Sequence, residues 1–292
     1  MAQNGNDMPN EVKRTIVDNI VAKTNLEMCS KSDRPMHIEN LSAFHDPSFK
    51  WLAIDTLDLQ EVDGELVKRI PGYPIKQTKQ QEERGRNLYK KFVGNLLSHG
   101  IIRIDNFFTN LDFPSELTNT TINAKKASIC GEDEEVMKWI NALSPKTAEI
   151  TIGVRDREVL KGTGAIPVII NAQKLMIMRK NDITDEQLMA FKFTKGWIMR
   201  SKTTINGVVE FIQKIASSDY PLDTNIHIFT IKEIRSYYLD INMQEIRFCL
   251  PMNSEKEVVY FYHPFLYCFS IFVQKAGGPV RTYDQHREIE KK

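Results

Sequence analysis

The sequence predicts an α+β chain, mainly α-helical, arranged as two lobes with a few short antiparallel strands and polar arms at both ends. Three observations lead there. Apolar residues recur at helical spacing in several separated segments, strict alternation is confined to short runs, and residues 114–128 (PSELTNTTINAKKAS) hold only Leu117 and Ile122 as large apolar groups. That thin segment sets the expected division: a flexible arm at 1–9, an N-terminal lobe at 10–113, a C-terminal helical lobe with strands at 129–279, and a flexible tail at 280–292.

Along the chain, Val12, Ile16, Val17, Ile20 and Val21 follow Asn10 as a first helix behind its N-cap. The stretch DPSFKWLAIDTLDLQEVDGELVKRI is rich in acids and mixed in spacing, which favours strand and turn. PGYPIKQTKQQEERGR is an exposed connection running into a helix, where Leu88, Tyr89, Phe92, Val93, Leu96 and Leu97 make one apolar stripe until His99-Gly100. GEDEEVMKWINAL opens a helix with four acids set against its dipole, and AEITIGV alternates as a strand.

The run VIINAQKLMIM behind Pro167 reads as a helix. Capping patterns at Thr184 with Gln187, and at Thr230 with Glu233, open further helices; between them Val208, Val209, Phe211, Ile212 and Ile215 form another apolar stripe. EIRFCLP and EVVYFY read as two strands. After Pro264, Leu266, Phe269, Phe272 and Val273 recur at helical spacing, so a last helix is expected there. From Val258 to Val273 the apolar run is interrupted by His263-Pro264 and is shorter than the about 20 residues that span a bilayer, so no transmembrane segment is expected. No internal repeat or low-complexity tract is visible.

Composition excludes several classes. The 292 residues, 41% apolar and 26% charged, suffice for a core that needs neither metal nor disulfide. A net charge of +1 argues against polyanion binding over the whole surface and turns attention to local segregation. Cys29, Cys130, Cys249 and Cys268 are scattered without a CxxC, which suggests neither a disulfide framework nor zinc. The first twenty residues lack the continuous apolar stretch of a secretory signal, so a cytoplasmic, non-secreted chain is expected.

Catalytic signatures are missing. There is no P-loop, dinucleotide fingerprint, H-E-x-x-H, G-x-S-x-G or EF-hand loop, and the six histidines form no helical pair. Lys161-Gly-Thr-Gly164 reads as a tight turn. On one helix, His263 and Cys268 point about 140° apart, a poor thiolate–imidazole geometry. No catalytic residue, metal site or cofactor is assigned.

The positive signal is a stretch without acids between Glu186 and Glu210. Lys192, Lys195, Arg200 and Lys202 are interleaved there with Phe191, Phe193 and Trp197. With Arg179, Lys180 and Lys174, and the Arg84, Arg86, Lys90 and Lys91 face, they are the residue types a single-stranded nucleic-acid groove requires: cations for phosphates, and Trp197, Phe193 or Tyr89 for stacking. The expectation is a non-enzymatic, self-associating protein of nucleocapsid type that binds single-stranded RNA. The alternatives are a matrix- or adaptor-like interaction protein without nucleic-acid binding, and an enzyme with a non-contiguous site such as a metal-dependent nuclease.

Overall fold

The computed structural model describes residues 37–45, 50–54, 57–62, 65–68, 79–98, 102–153, 159–230, 246–263 and 267–278. Both expected arms, the helix behind Asn10, the connection at 69–78 and the helix body behind Thr230 lie outside the described residues. The chain divides into two compact units, residues 1–131 with 138–144 and residues 132–137 with 145–292.

In the first unit the acidic stretch forms a meander, as its turn-rich pattern predicts. β1 (His37–His45), β2 (Lys50–Ile54), β3 (Leu57–Val62) and β4 (Glu65–Lys68) pair antiparallel in sequence order. On the other edge of β1, β5 (Arg103–Thr109) and β6 (Asn123–Ile129) add in parallel. The helix α1 (Lys79–Ser98) buries Tyr89, Val93, Leu96 and Leu97, the stripe read from its spacing. Near the end of α2 (Asp133–Ala142), the Trp139 indole N–H donates to the Leu111 carbonyl at 2.8 Å, and its ring lies 5.3 Å from Phe107 and 5.0 Å from Phe113.

The second unit is a stack of strand–turn–helix steps. β7 (Glu149–Ile152), α3 (Pro167–Asn171), β8 (Lys174–Ile177), α4 (Asp185–Ala190), β9 (Lys195–Ser201), α5 (Ile205–Ala216) and β10 (Asn225–Thr230) follow one another, and each strand pairs in parallel with the strand before it. The sheet continues antiparallel through β13 (Cys268–Lys275), β12 (Lys256–His263) and β11 (Ile246–Pro251). Sequential parallel strands joined by short helical crossovers make each step contact only its neighbours, as in solenoid proteins.

The register aligns one core row across these strands. Ile152, Ile177, Ile198 and Ile228 are fully buried, one per strand, and each contributes roughly 1.5–3 kcal/mol by leaving water. Val208, Phe211, Ile212 and Ile215 of α5 are buried too, with the Phe193 ring stacked 6.0 Å from Phe211 and edge-on to Phe191 at 5.9 Å. One helix starts at the cap expected from the sequence, and a second at a threonine not singled out there. Thr184 and Gln187 form a reciprocal capping box, and the Thr204 hydroxyl accepts from the Gly207 N–H.

This architecture corrects the expectation of a mainly helical fold with a few antiparallel strands: strands dominate, and the second unit's central ones are parallel. Three segments account for the difference. The expected helix after Pro264 is strand β13, buried on both faces, and a doubly buried strand has no alternation to distinguish it from a helix. The run behind Pro167 holds a helix only to Asn171 and then strand β8. The thin segment 114–128 contains β6, whose small Ala124 and Ala127 are themselves buried. The strand–helix repeat leaves no fixed period in the sequence, because its strands start unevenly, at residues 149, 174, 195 and 225.

Gly196 marks the tightest step of the stack. It pairs with Leu175 on one side and Ile226 on the other, and a Cβ built there lies 1.8 Å from the Leu175 carbonyl oxygen. Gly196→Ala is expected to destabilise the protein by about 3 kcal/mol, read as a lower midpoint in urea denaturation.

Candidate functional site

Side chains alternate across a strand, so the face opposite the isoleucine row carries its own aligned rows. Thr151, Met176, Trp197, His227 and Ser270 stand side by side on five neighbouring strands. One step further along lie Met178, Met199 and Phe229. Burial on this face rises toward the antiparallel end, where His227 and Ser270 are buried and Val259, Phe261 and Phe272 form a small core. Over β7, β8 and β9 it is half open: Thr151, Met176, Met178, Trp197, Met199 and Phe229 all keep part of their surface in solvent. The Trp197 ring sits 5.0 Å from His227 and 6.0 Å from Phe229.

The two ends of this face differ in charge. Where the strands begin, Glu149 and Lys174 approach to 3.8 Å and Lys195 meets Asp223 at 2.6 Å; the hydrogen bond from Lys195 holds the Asp223 carboxyl below its usual range. Where the strands end, Lys161, Lys180, Arg200 and Lys202 are exposed, and none has an ion-pair partner among the described residues. The nearby acids serve the backbone instead. Asp182 accepts from the Gly162 N–H at 2.9 Å, and Asp185 accepts from the Thr204 N–H and hydroxyl, each at 2.7 Å. The glycine turn at 162 therefore offers its amide to a carboxylate of its own chain, and anion cradling there has no support.

Arg200 sits in a β-bulge. Ile198 pairs with Ile228 and Ser201 with Thr230, so Met199 and Arg200 together face Phe229, and Arg200 takes a φ of 49°. A left-handed conformation is unfavourable for a residue with a Cβ. Asn181 holds it there. Its buried side-chain amide donates to the Met199 carbonyl at 2.8 Å and the Arg179 carbonyl at 3.1 Å, and its backbone N–H donates to the Arg200 carbonyl at 3.3 Å. Arg200→Gly is expected to raise the unfolding free energy by about 1 kcal/mol in chemical denaturation, because the strain disappears with the side chain. A destabilised variant would show that the side chain contributes more than the strain removes.

A second cluster lies deeper. His227 Nδ1 is 2.9 Å from Ser270 Oγ, which is 3.3 Å from His263 Nε2, and Cys268 pairs with His263 across the β12–β13 hairpin. The helix on which these two were expected to diverge does not exist. What keeps them from thiolate chemistry is burial, which pushes the Cys268 thiol up to about 12 and leaves it protonated at neutral pH. Burial, helped by His263, holds His227 down to about 4 from 6.5. Between those values an unfolded chain takes up a proton that the folded chain refuses, so stability is full above pH 6.5 and falls as the pH drops toward 4, by about 3 kcal/mol. Urea unfolding at stepped pH checks this: His227→Asn should flatten the slope between those limits.

The expected RNA groove is not assembled as the sequence suggested. Phe193 and Tyr89 are buried, and Arg179 is 2% exposed in an ion pair with Asp133. Arg86 binds Asp112 at 2.7 Å, and the Lys192 ammonium donates to the Asn171 side-chain oxygen at 3.0 Å. Arg84, Lys90 and Lys91 stand with Arg86 on α1 of the first unit. Lys192 and Lys195 sit at the start of β9, Arg200 and Lys202 at its end, with Lys180 at the end of β8. Of the expected residues, Trp197, Lys180, Arg200 and Lys202 come together on or beside the half-open face, with Lys195 at its opposite end in an ion pair with Asp223.

Sequence reasoning missed Met176, Met199 and Asn181. The available signal was the alternation in KLMI and GWIM, two short runs each followed closely by a capping threonine.

In the first unit a recess of about 630 Å³ is lined by Phe113, Thr118, Asn119, Thr121, Lys138 and Asn141 among others, none of them a carboxylate or histidine. Among the described residues no group of three His, Cys, Asp or Glu is placed to hold a metal, and no helix is long and apolar enough to cross a membrane. Comparison with protein-family models, curated proteins and solved structures finds no match to this chain.

Proposed function

We propose that the second unit is a non-enzymatic binding module that engages a protein partner through the half-open face of its parallel sheet. The observation that carries this reading is the composition of the face: three thioethers and two aromatic rings left partly in solvent, flanked at one end by cations without acid partners among the described residues. Methionine adapts to irregular apolar surfaces, and a stacked array of short strand–helix steps presents an extended surface suited to a macromolecule. Half-exposed apolar side chains of this kind, gathered on one surface, mark an interaction site.

Single-stranded RNA is the competing reading, favoured by Trp197 lying three residues before Arg200. It draws less support. Two of the three expected stacking rings are buried, and at the beginning of the face Lys174 and Lys195 are already engaged by Glu149 and Asp223.

Site-specific photo-cross-linking in cells separates these readings. A photoreactive residue at Met199 is expected to give discrete protein adducts that persist after nuclease treatment, whereas one at Gln213, exposed on α5, gives none. Nuclease-sensitive adducts at position 199 would move the reading to nucleic acid, and equal labelling at both positions would remove the face from consideration.

A further inference from the structure

The half-open face is asymmetric in a way that constrains its occupant. Exposed cations stand on three successive steps at the strand ends: Lys161, then Lys180, then Arg200 with Lys202. Leu160 pairs with Asn181, and Asn181 bonds back to β9, so these steps follow the sheet spacing of about 4.8 Å. The acids beside them are engaged by backbone, and the chain keeps an arginine at a left-handed position where glycine is sterically preferred. Strain retained at an exposed cation points to a role for that cation outside the fold.

We propose that the occupant is an acidic amphipathic helix of a partner protein. It lies across the parallel strands, its apolar stripe on Met176, Trp197 and Met199 and its carboxylates over Lys161, Lys180, Arg200 and Lys202. The proposal rests on the protein-binding reading of the face and adds the chemistry of the partner.

Spacing selects the helix. Three steps of the stack cover about 9.6 Å, and helical residues at i, i+3 and i+7 rise about 10.5 Å, whereas same-side residues of an extended chain cover about 13 Å. Long Lys and Arg side chains absorb the smaller mismatch. Charge complementarity then fixes direction and register, while burial of the apolar stripe supplies affinity. A nucleic acid fits less well, because at the other end of the strands Glu149 and Asp223 engage Lys174 and Lys195 and leave fewer cations for phosphate.

The test uses the full chain and three dye-labelled probes in fluorescence anisotropy. The first is a helical peptide of about five turns with a leucine stripe flanked by glutamates. The second replaces those glutamates by lysines, and the third is oligouridylate RNA. The glutamate peptide is expected to bind saturably. Its affinity should fall about tenfold or more for K180E/R200E/K202E, which should now take the lysine peptide, and severalfold for M176S/M199S. Circular dichroism and urea midpoints matching the parent protein keep these losses from being losses of fold.

Equal binding of the two peptides, or of neither, overturns the proposal. RNA bound where the glutamate peptide is not, and lost in the charge-reversed variant, assigns the cations to phosphate instead. If the glutamate peptide fails while Met199 still cross-links to protein, the face stands and only the partner's chemistry is wrong; if both fail, so does the reading of the face.

Discussion

The buried row of Ile152, Ile177, Ile198 and Ile228 is the constraint on which the second unit depends. Because the side-chain period of a strand is two, committing those positions to the core commits Thr151, Met176, Trp197 and Met199 to the opposite side. A one-residue slip of any strand would exchange the two sets, placing isoleucine in water and lysine in the core. The half-open face is thus a direct consequence of the register that stabilises the stack. Gly196 tightens that register further, since no other residue lets β9 approach the Leu175 carbonyl as closely.

Polar groups at the strand ends are handled by a few side chains that bond backbone rather than solvent. Asn181 satisfies carbonyls on its own turn and on β9, Asp182 takes an amide of the neighbouring turn, and Asp185 ties α4 to the first turn of α5. An unpaired buried amide costs about 1–3 kcal/mol, so the bonds of the buried Asn181 side chain protect the ends of the stack from opening. The bonds of Asp182 and Asp185 direct those two carboxylates to backbone and hydroxyl donors rather than to the cations beside them. That arrangement comes from bonding geometry, and composition alone, with its net +1, conceals it.

Much of the local structure was legible in the sequence, and the architecture was not. The α1 stripe, the capping box at Thr184, the α5 stripe and the β11 and β12 strands all follow from periodicity and caps, since those signals are generated within a few residues. β13 failed because its side chains are buried on both faces, which erases the period-two signal. The basic stretch failed differently. It was read as one patch because its residues are adjacent in sequence, but β9 is extended, so Lys195 and Arg200 stand at opposite ends of a strand, and Phe193 turns into the core beside Phe211. Trp197 with Arg200 and Lys202 survived because the alternation and the turn happened to leave them on accessible surface.

The contrast between the two clusters on this face bears on what kind of protein it is. His227, His263, Ser270 and Cys268 have the residue types of a catalytic site, but burial drives two of them toward their neutral forms: the Cys268 thiol up and the His227 imidazole down. Nucleophilic catalysis needs the reverse, a thiolate or an activated hydroxyl beside a base with access to substrate. Desolvation that neutralises groups serves packing. At the strand ends Lys180, Arg200 and Lys202 are exposed, and Arg200 is held in a left-handed backbone conformation. Exposed cations at the strand ends beside a neutral, buried His227 are the distribution expected under the proposed reading, in which the face recognises a partner.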